Sequence, residues 1–269
     1  MSVLYAYGTK GFGVSHSLTA APDPAKFTLH THPDVEIYCF VQGSAIFHIE
    51  GTAYPLESGD LLVMRSTESH YVEVDPSQPY ERMSLHFDTD LLSSIDPEGH
   101  LKAPFLDRAA GKQNRYPGHL FQGGSCRHYF DTMMSGFPDR QVSFFAGLIP
   151  LLRELCQLQQ ALLQETDVPV DSAPHQIMRY LTENLQKDIT LSDICEKFYI
   201  SRSQLCRIFR NSTGVTVKRY LSIKRLVRAK QLIDSGQQAT HVYLQCGFND
   251  YSSFYRAYVK YFGTAPTQR

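Results

Sequence analysis

The sequence predicts an α+β protein of two domains. A small N-terminal β-barrel with a helical extension precedes an all-α C-terminal domain that holds two helix-turn-helix motifs. Three observations carry this reading. Short runs rich in Val, Ile, Tyr and Phe crowd between residues 27 and 87, broken by turn residues. After residue 174 the pattern changes to helical periodicity with capping signals. The charge is also divided: residues 174–269 carry 15 Lys and Arg against 6 Asp and Glu, a net +9, while residues 1–173 carry 11 against 21, a net −10. The chain of 269 residues nets only −1, so the total conceals a basic rear and an acidic front. That division suits a polyanion-binding module joined to one that avoids nucleic acid.

In the front, residues 27–32, 36–43, 44–51, 60–64, 70–74 and 82–87 read as strands. Turns are signalled at Pro33-Asp34, Gln42-Gly43, Glu50-Gly51, Ser58-Gly59-Asp60 and from Pro76 to Pro79. Strands this short and close argue for a small barrel or a double-sheet jelly roll. On a strand, His30 and His32 point to one side, and His70 can meet them from a facing strand. His48 and His86 are expected to be ordinary core or surface histidines. Residues 30–43 match the pattern HxHxxxExxxxxxG in full, and this resembles the first motif of the cupin family. The second motif is met only by Gly59 and, one residue out of step, by His70. Met64 and Ser66 stand where its Pro and Gly belong. The resemblance implies that His30, His32, Glu36 and His70 line a pocket. In enzymatic cupins these positions bind a divalent metal. The degraded second motif favours a pocket that holds a small polar ligand, with no metal and no other cofactor.

Residues 101–140 carry little pattern beyond loops and a short helix near 127–135. Beyond them Phe144, Leu148, Leu151, Leu155, Leu158 and Leu162 recur at alternating spacings of four and three. Such a stripe packs onto the barrel or pairs with a second copy, and its apolar character favours a homodimer. Pro150 should kink or split the segment. Residues 1–165 then form the front domain, 166–173 a linker, and 174–269 the rear domain. A cap at Asp171 or Ser172, with Pro174 in the first turn, starts the next helix.

The rear domain is organised around residues 190–214. Thr190 and Asp193 make a capping box, and Leu191, Ile194, Cys195 and Phe198 line one helical face. Ser201 and Gln204 make a second box, with Ile200 placed to staple against Leu205. Leu205, Ile208 and Phe209 face inward, while Arg202, Ser203, Cys206, Arg207 and Arg210 share the opposite face. Gly214 supplies a left-handed stop. This reads as a helix-turn-helix, the plainer alternative being a helical hairpin with a solvated basic face. A helix of about 18 residues follows, with Tyr220, Ile223, Leu226, Val227 and Ile233 inward, and Gly236 ends it. A second hairpin sets Ala239, Val242 and Cys246 inward, turns at Gly247-Phe248, and caps its last helix with Asp250 or Asn249. That helix buries Phe254 and Tyr258 and turns Tyr251, Ser252, Tyr255 and Arg256 outward. The intervening strut, ~27 Å at 1.5 Å per residue, approaches the ~34 Å between successive major grooves on one face of a duplex.

Residues 175–266 resemble the AraC/XylS family of bacterial transcription regulators. The likeness rests on Leu191, Asp193, Ile194, Ser201, Leu205, Arg207, Phe209, Arg210 and Gly214 in the first hairpin. It continues through Tyr220, Leu221, Arg225, Leu226, Ala229, Leu232 and Ile233 in the strut. Gly247, Phe248, Asp250, Ser252, Phe254 and Arg256 carry it into the second hairpin, and Gly263, Ala265 and Pro266 into the tail. The resemblance implies base contacts from Ser203, Cys206 and Arg207, and base or phosphate contacts from Tyr251, Ser252, Tyr255 and Arg256. It implies double-stranded DNA and a small effector, a sugar being the suggested class, as partners, with RNA polymerase added if the chain activates. Tyr243, Val259 and the shortened tail after Pro266 depart from the family pattern, so the second head should grip DNA less strictly. The cysteines Cys39, Cys126, Cys156, Cys195, Cys206 and Cys246 lack a CxxC pair and read as reduced thiols. The N-terminus has no signal-peptide pattern and no apolar run nears ~18 residues, so a cytoplasmic protein is expected. The expected class is therefore a regulator and not an enzyme. The competing class is a metal-dependent cupin enzyme with a helical appendage, for which the basic rear domain would have no use.

Overall fold

The computed structural model describes residues 2–9, 11–66, 68–164 and 173–267. Its strands are β1 (Ser2–Thr9), β2 (Phe12–Thr19), β3 (Val35–Gln42), β4 (Ala45–Ile49), β5 (Thr52–Pro55), β6 (Leu61–Met64), β7 (His70–Val74), β8 (Tyr80–Phe87) and β9 (Arg115–Tyr116). They make one sheet of order β1-β2-β8-β3-β6-β9 and another of order β5-β4-β7. Alternation decides which side chains enter the interior: β4 buries Ala45, Phe47 and Ile49 and leaves Ile46 and His48 half-buried. Tyr38, Phe40, Leu62, Met64 and Tyr80 from the large sheet meet Phe47, Val72 and Val74 from the small one. The barrel floor is thus filled with aromatic and aliphatic groups, and the buried Tyr38 and Tyr80 hydroxyls pair with each other.

Two expectations about strands change. Residues 27–32 form no continuous strand; only His30 pairs, through an isolated bridge to His70. Pro33 lacks an N–H and restricts the residue before it, which keeps this stretch from laddering. β1, β2, β5 and β9 were not anticipated. β1 is largely exposed at the sheet edge, without a buried alternation to betray it.

Helices α1 (Ala103–Leu106), α2 (Arg127–Met134) and α3 (Arg140–Gln164) cover the outer face of the large sheet. Phe144, Leu148, Leu151 and Leu155 are fully buried there, and Leu158 and Leu162 pack against the same cluster. Phe144 stacks on Phe12 of β2 with ring centroids 3.9 Å apart. The dimer seam expected along this stripe is therefore filled by the chain's own sheet. The cause is the sheet itself, whose outward Phe12, Val14, Ile37, Val63 and Leu85 need a cover. α3 runs unbroken through Pro150, because buried leucines on both sides of the proline hold the two halves in line. At Gly147 the backbones of α2 and α3 touch: a Cβ there would collide with Tyr129 O and Met133.

The rear domain comprises α4 (Ala173–Glu183), α5 (Leu191–Phe198), α6 (Arg202–Thr213), α7 (Val217–Asp234), α8 (Ala239–Gln245) and α9 (Tyr251–Phe262). The linker expected at 166–173 and the cap at Asp171 or Ser172 fall almost wholly outside the described residues. α7 is shared by two cores. Tyr220, Ile223 and Val227 join the cluster of α4, α5 and α6, whereas Leu226, Ala229 and Ile233 join that of α8 and α9. No described helix is long and apolar enough to cross a membrane.

Candidate nucleic-acid interface and sensor pocket

Both capping boxes form. Thr190 and Asp193 exchange side-chain bonds with each other's backbone N–H at 3.2 and 2.8 Å, and Ser201 and Gln204 do so at 3.2 and 2.9 Å. Tyr199, at φ 54°, makes the tight turn between α5 and α6 and is 95% exposed. Sequence reasoning gave that position no role. α6 buries Leu205 and Phe209 and exposes Arg202, Ser203, Cys206, Arg207 and Arg210, and Gly214 closes it at φ 70°. In α9, capped by Asp250 through Ser253 N at 2.7 Å, Ser252, Tyr255 and Arg256 are exposed. Tyr251 differs from expectation: it is half-buried, with its ring 5.7 Å from Tyr243 and 5.9 Å from Phe254. Tyr243 meets that ring edge-on, with an angle of 77° between the ring planes.

In the barrel, the structure brings His30, His32, Glu36 and His70 together. One nitrogen of each imidazole and one Glu36 oxygen all lie within 4.8 Å of one another. Glu36 comes from β3, His70 from the start of β7, and His30 and His32 from the stretch bridged to it. His32 Nε2 is 3.0 Å and His70 Nε2 3.1 Å from Glu36 Oε2. A fifth group joins them: His86 Nε2 sits 3.6 Å from Glu36 Oε1, and the His86 and His32 ring centroids are 4.7 Å apart. His86 was set aside in the sequence reading because its partnership depends on β8 lying beside β3, which pairs Glu36 with His86. His48, in contrast, stacks on Tyr71 away from the pocket and reaches Glu73 at 3.4 Å.

The electrostatics follow from crowding. Burial, then the neighbouring His70, pushes the His30 pKa down to about 4. Burial also lowers His86 despite the pull of Glu36. For His32, burial is outweighed by the Glu36 hydrogen bond and charge, and its pKa rises. Burial opposes the Glu36 charge too, but His86, His32 and His70 hold its carboxyl well below the usual range.

A family model described as the AraC-like ligand binding domain matches residues 17–176, and one described as a helix-turn-helix domain matches residues 194–269. The chain belongs to the AraC family of transcription regulators. It is 24% identical over 259 residues to the HTH-type transcriptional activator RhaS of Salmonella paratyphi A, covering 90% of this chain and 87% of the relative. It is likewise 24% identical over 243 residues to the Msm operon regulatory protein of Streptococcus mutans serotype c, covering 86% and 82%. Among solved structures, ToxT from Vibrio cholerae O395 aligns with 96% of both chains at 14% identity and a TM-score of 0.40.

Within this AraC-family chain, two of the residues that carry the resemblance have internal duties. Arg225 donates to Leu185 O at 2.8 Å and Lys187 O at 2.7 Å, tying α7 to the segment after α4. Gly247 lies against Arg225 and Leu185 O and leaves no space for a side chain. The ligand-binding domain also grips the DNA-binding domain directly. Glu50, in the β4–β5 turn, accepts hydrogen bonds from Tyr220 Oη at 2.7 Å and from Lys224 Nζ, both on α7, and all three are buried. Tyr71 Oη donates to Asn211 O at 3.2 Å, Tyr261 Oη to Thr31 O at 3.2 Å, and Gln231 Nε2 to Ser66 Oγ at 3.1 Å.

Proposed function

We propose that this chain is a sequence-specific transcription regulator whose DNA binding responds to a small polar effector taken up by the histidine pocket of its barrel. The reading is carried by one observation: the exposed Arg202, Ser203, Cys206, Arg207 and Arg210 share a face of α6 opposite buried Leu205 and Phe209. A capped helix held from behind, with arginines in front, is suited to the major groove, where a guanidinium pairs bidentately with a guanine edge. Ser252, Tyr255 and Arg256 of α9 form the second reading face, and Tyr251 supports it from below. The effector contacts are assigned to His30, His32, Glu36 and His70. A sugar is the class the family resemblance suggests.

Arg207→Ala tests the reading. It should weaken binding to a genomic fragment retained by the protein by ~1–3 kcal/mol and leave random DNA nearly unaffected. Equal losses on both DNAs, measured by fluorescence anisotropy at fixed salt, would show that Arg207 touches only phosphate.

A further inference from the structure

The two reading heads turn on the same backbone motif and fill it differently. In the first, Tyr199 N donates to Glu196 O at 3.4 Å and Ile200 N to Cys195 O at 3.1 Å. In the second, Gly247 N donates to Leu244 O at 3.0 Å and Phe248 N to Tyr243 O at 3.0 Å. Each head thus closes its helix with one bond across three residues and one across five, around a single left-handed residue. That residue is Gly247 at φ 81° in the second head and Tyr199 at φ 54° in the first. Glycine is required in the second head, because a Cβ on Gly247 would lie 2.3 Å from Leu185 O. Tyrosine is a disfavoured choice for the first, since a side chain in this conformation crowds the following carbonyl. The turn does not need the phenol: Ile200 and Cys195 already pack into the core of α4, α5 and α6. The Tyr199 ring stands in solvent at 95% exposure. A strained aromatic residue that packs on almost nothing in its own domain calls for a partner outside it.

The position of the residue says which partner. Tyr199 lies two residues before Ser201, the cap of α6, and α6 opens with exposed Arg202 and Ser203. A recognition helix enters the major groove by its N-terminal residues. The residue just outside the cap then stops at the groove wall, which is built of phosphates, while the bases lie on the floor. A tyrosine hydroxyl is a donor without charge, and tyrosine is among the side chains that hold phosphate oxygens. Arg202 and Lys197, both exposed, flank it in sequence and favour an anionic partner. Gly247 offers no counterpart in the second head, where the turn is closed against Leu185 and Arg225.

We propose that the Tyr199 hydroxyl donates to a DNA phosphate at the edge of the groove entered by α6. The contact fixes the register of the first head on the duplex without reading sequence. It also gives that head a hold that Gly247 cannot give the second. This inference rests on the reading of α6 as the helix that enters the groove, and it adds to that reading one residue and the part of DNA it meets.

The test uses the full chain and the variants Tyr199→Phe, Tyr199→Gly and Arg207→Ala. Each is titrated by fluorescence anisotropy onto a retained genomic fragment and onto a random-sequence duplex. Tyr199→Phe removes only the hydroxyl and should weaken binding to both DNAs equally, by roughly three- to tenfold. The slope of log affinity against log salt should stay as in wild type, because an uncharged donor releases no counterion. Tyr199→Gly should lose at least as much affinity yet unfold at an equal or higher urea midpoint, since glycine relieves the left-handed strain. A residue with a structural role would lose stability and affinity together, and that result overturns the contact. Binding by Tyr199→Phe within about twofold of wild type on both duplexes overturns it as well. A loss on the retained fragment alone makes Tyr199 a base reader. Intact DNA binding with lost transcription, in a reconstituted assay, makes it a docking point for RNA polymerase, and either outcome replaces the phosphate contact. If Arg207→Ala also leaves both DNAs unaffected, the reading of α6 fails and the contact with it. If Arg207→Ala weakens the retained fragment while both Tyr199 variants bind as wild type, that reading stands and only the Tyr199 contact falls.

Discussion

Glu68 and Glu36 are both buried carboxylates of one barrel, and their surroundings are opposite in kind. Glu68 is met by donors on all sides. Arg108 gives Nη1 and Nη2 to its two oxygens at 2.8 and 2.7 Å, and Gly111 N, Arg65 N and Asn114 Nδ2 follow at 2.8, 3.0 and 3.1 Å. Burial is the largest single influence and raises its pKa, but Arg108 together with Gly111 N and Arg65 N outweighs it, so the pKa falls and the carboxylate stays charged. Around Glu36 stand His32, His70 and His86, with no fixed cation among them. Glu50 lies between these cases, because its cation, Lys224, comes from the other domain. The source of the positive charge distinguishes the three. Within the barrel it makes a structural knot, across the boundary it makes a clasp, and where it is missing stands the pocket to which the proposed effector is assigned.

The comparison can be broken at each carboxylate. The largest effect belongs to Glu68→Ala, which leaves the fully buried Arg108 guanidinium unpaired and should cost ~3–5 kcal/mol in urea unfolding. The Glu68 pKa is depressed in the folded chain, so its contribution is present above the unfolded carboxylate pKa. It is lost as pH falls through the folded value, and the variant should show a flatter acid limb. Next comes Lys224→Met, which strands the Glu50 charge and should weaken the grip between domains by ~2–5 kcal/mol. Separate unfolding transitions for the two domains, with faster hydrogen exchange at 217–224, are the expected signs. A single unchanged transition would show that the clasp is inert. The smallest effect is expected for Glu36→Gln, ~1 kcal/mol in either direction, because the amide can still accept from His32. A loss as large as that of Glu68→Ala would make Glu36 another knot and remove the reason to regard the pocket as a sensor.

How much of this was legible depended on the range of the interactions. The rear domain could be read closely because its signals are local. Thr190 with Asp193, and Ser201 with Gln204, act over three residues, and both boxes form. His30, His32 and Glu36 were also visible, lying within seven residues of one another. What escaped depends on distant pairing. His86 enters the pocket only because β8 adds beside β3, 50 positions away. Glu50 looked like a turn residue, and its φ of 47° agrees, yet its carboxylate crosses to α7, 174 positions on. The leucine stripe of α3 was recognised, but its partner was not, because β2 had not been read as a strand able to present Phe12.

The place where the barrel grips the rear domain has a consequence for how any response must look. Tyr220, Lys224 and Gln231 all belong to α7, the one helix that carries both reading heads. A rigid axle gripped along its length turns both wheels. Because α6 and α9 hang on opposite cores of α7, a change in that grip presents or withdraws the two heads together. Occupancy of the two halves of an operator should then rise along one curve with one midpoint, even though α9 offers the more sparsely charged face. Spacing is fixed by the same axle, since each residue added to α7 turns one head against the other by about 100° and lengthens the span by about 1.5 Å. Such a protein cannot adjust to operators of varied spacing by stretching. On the proposed reading it should bind best to DNA whose two grooves already lie in phase.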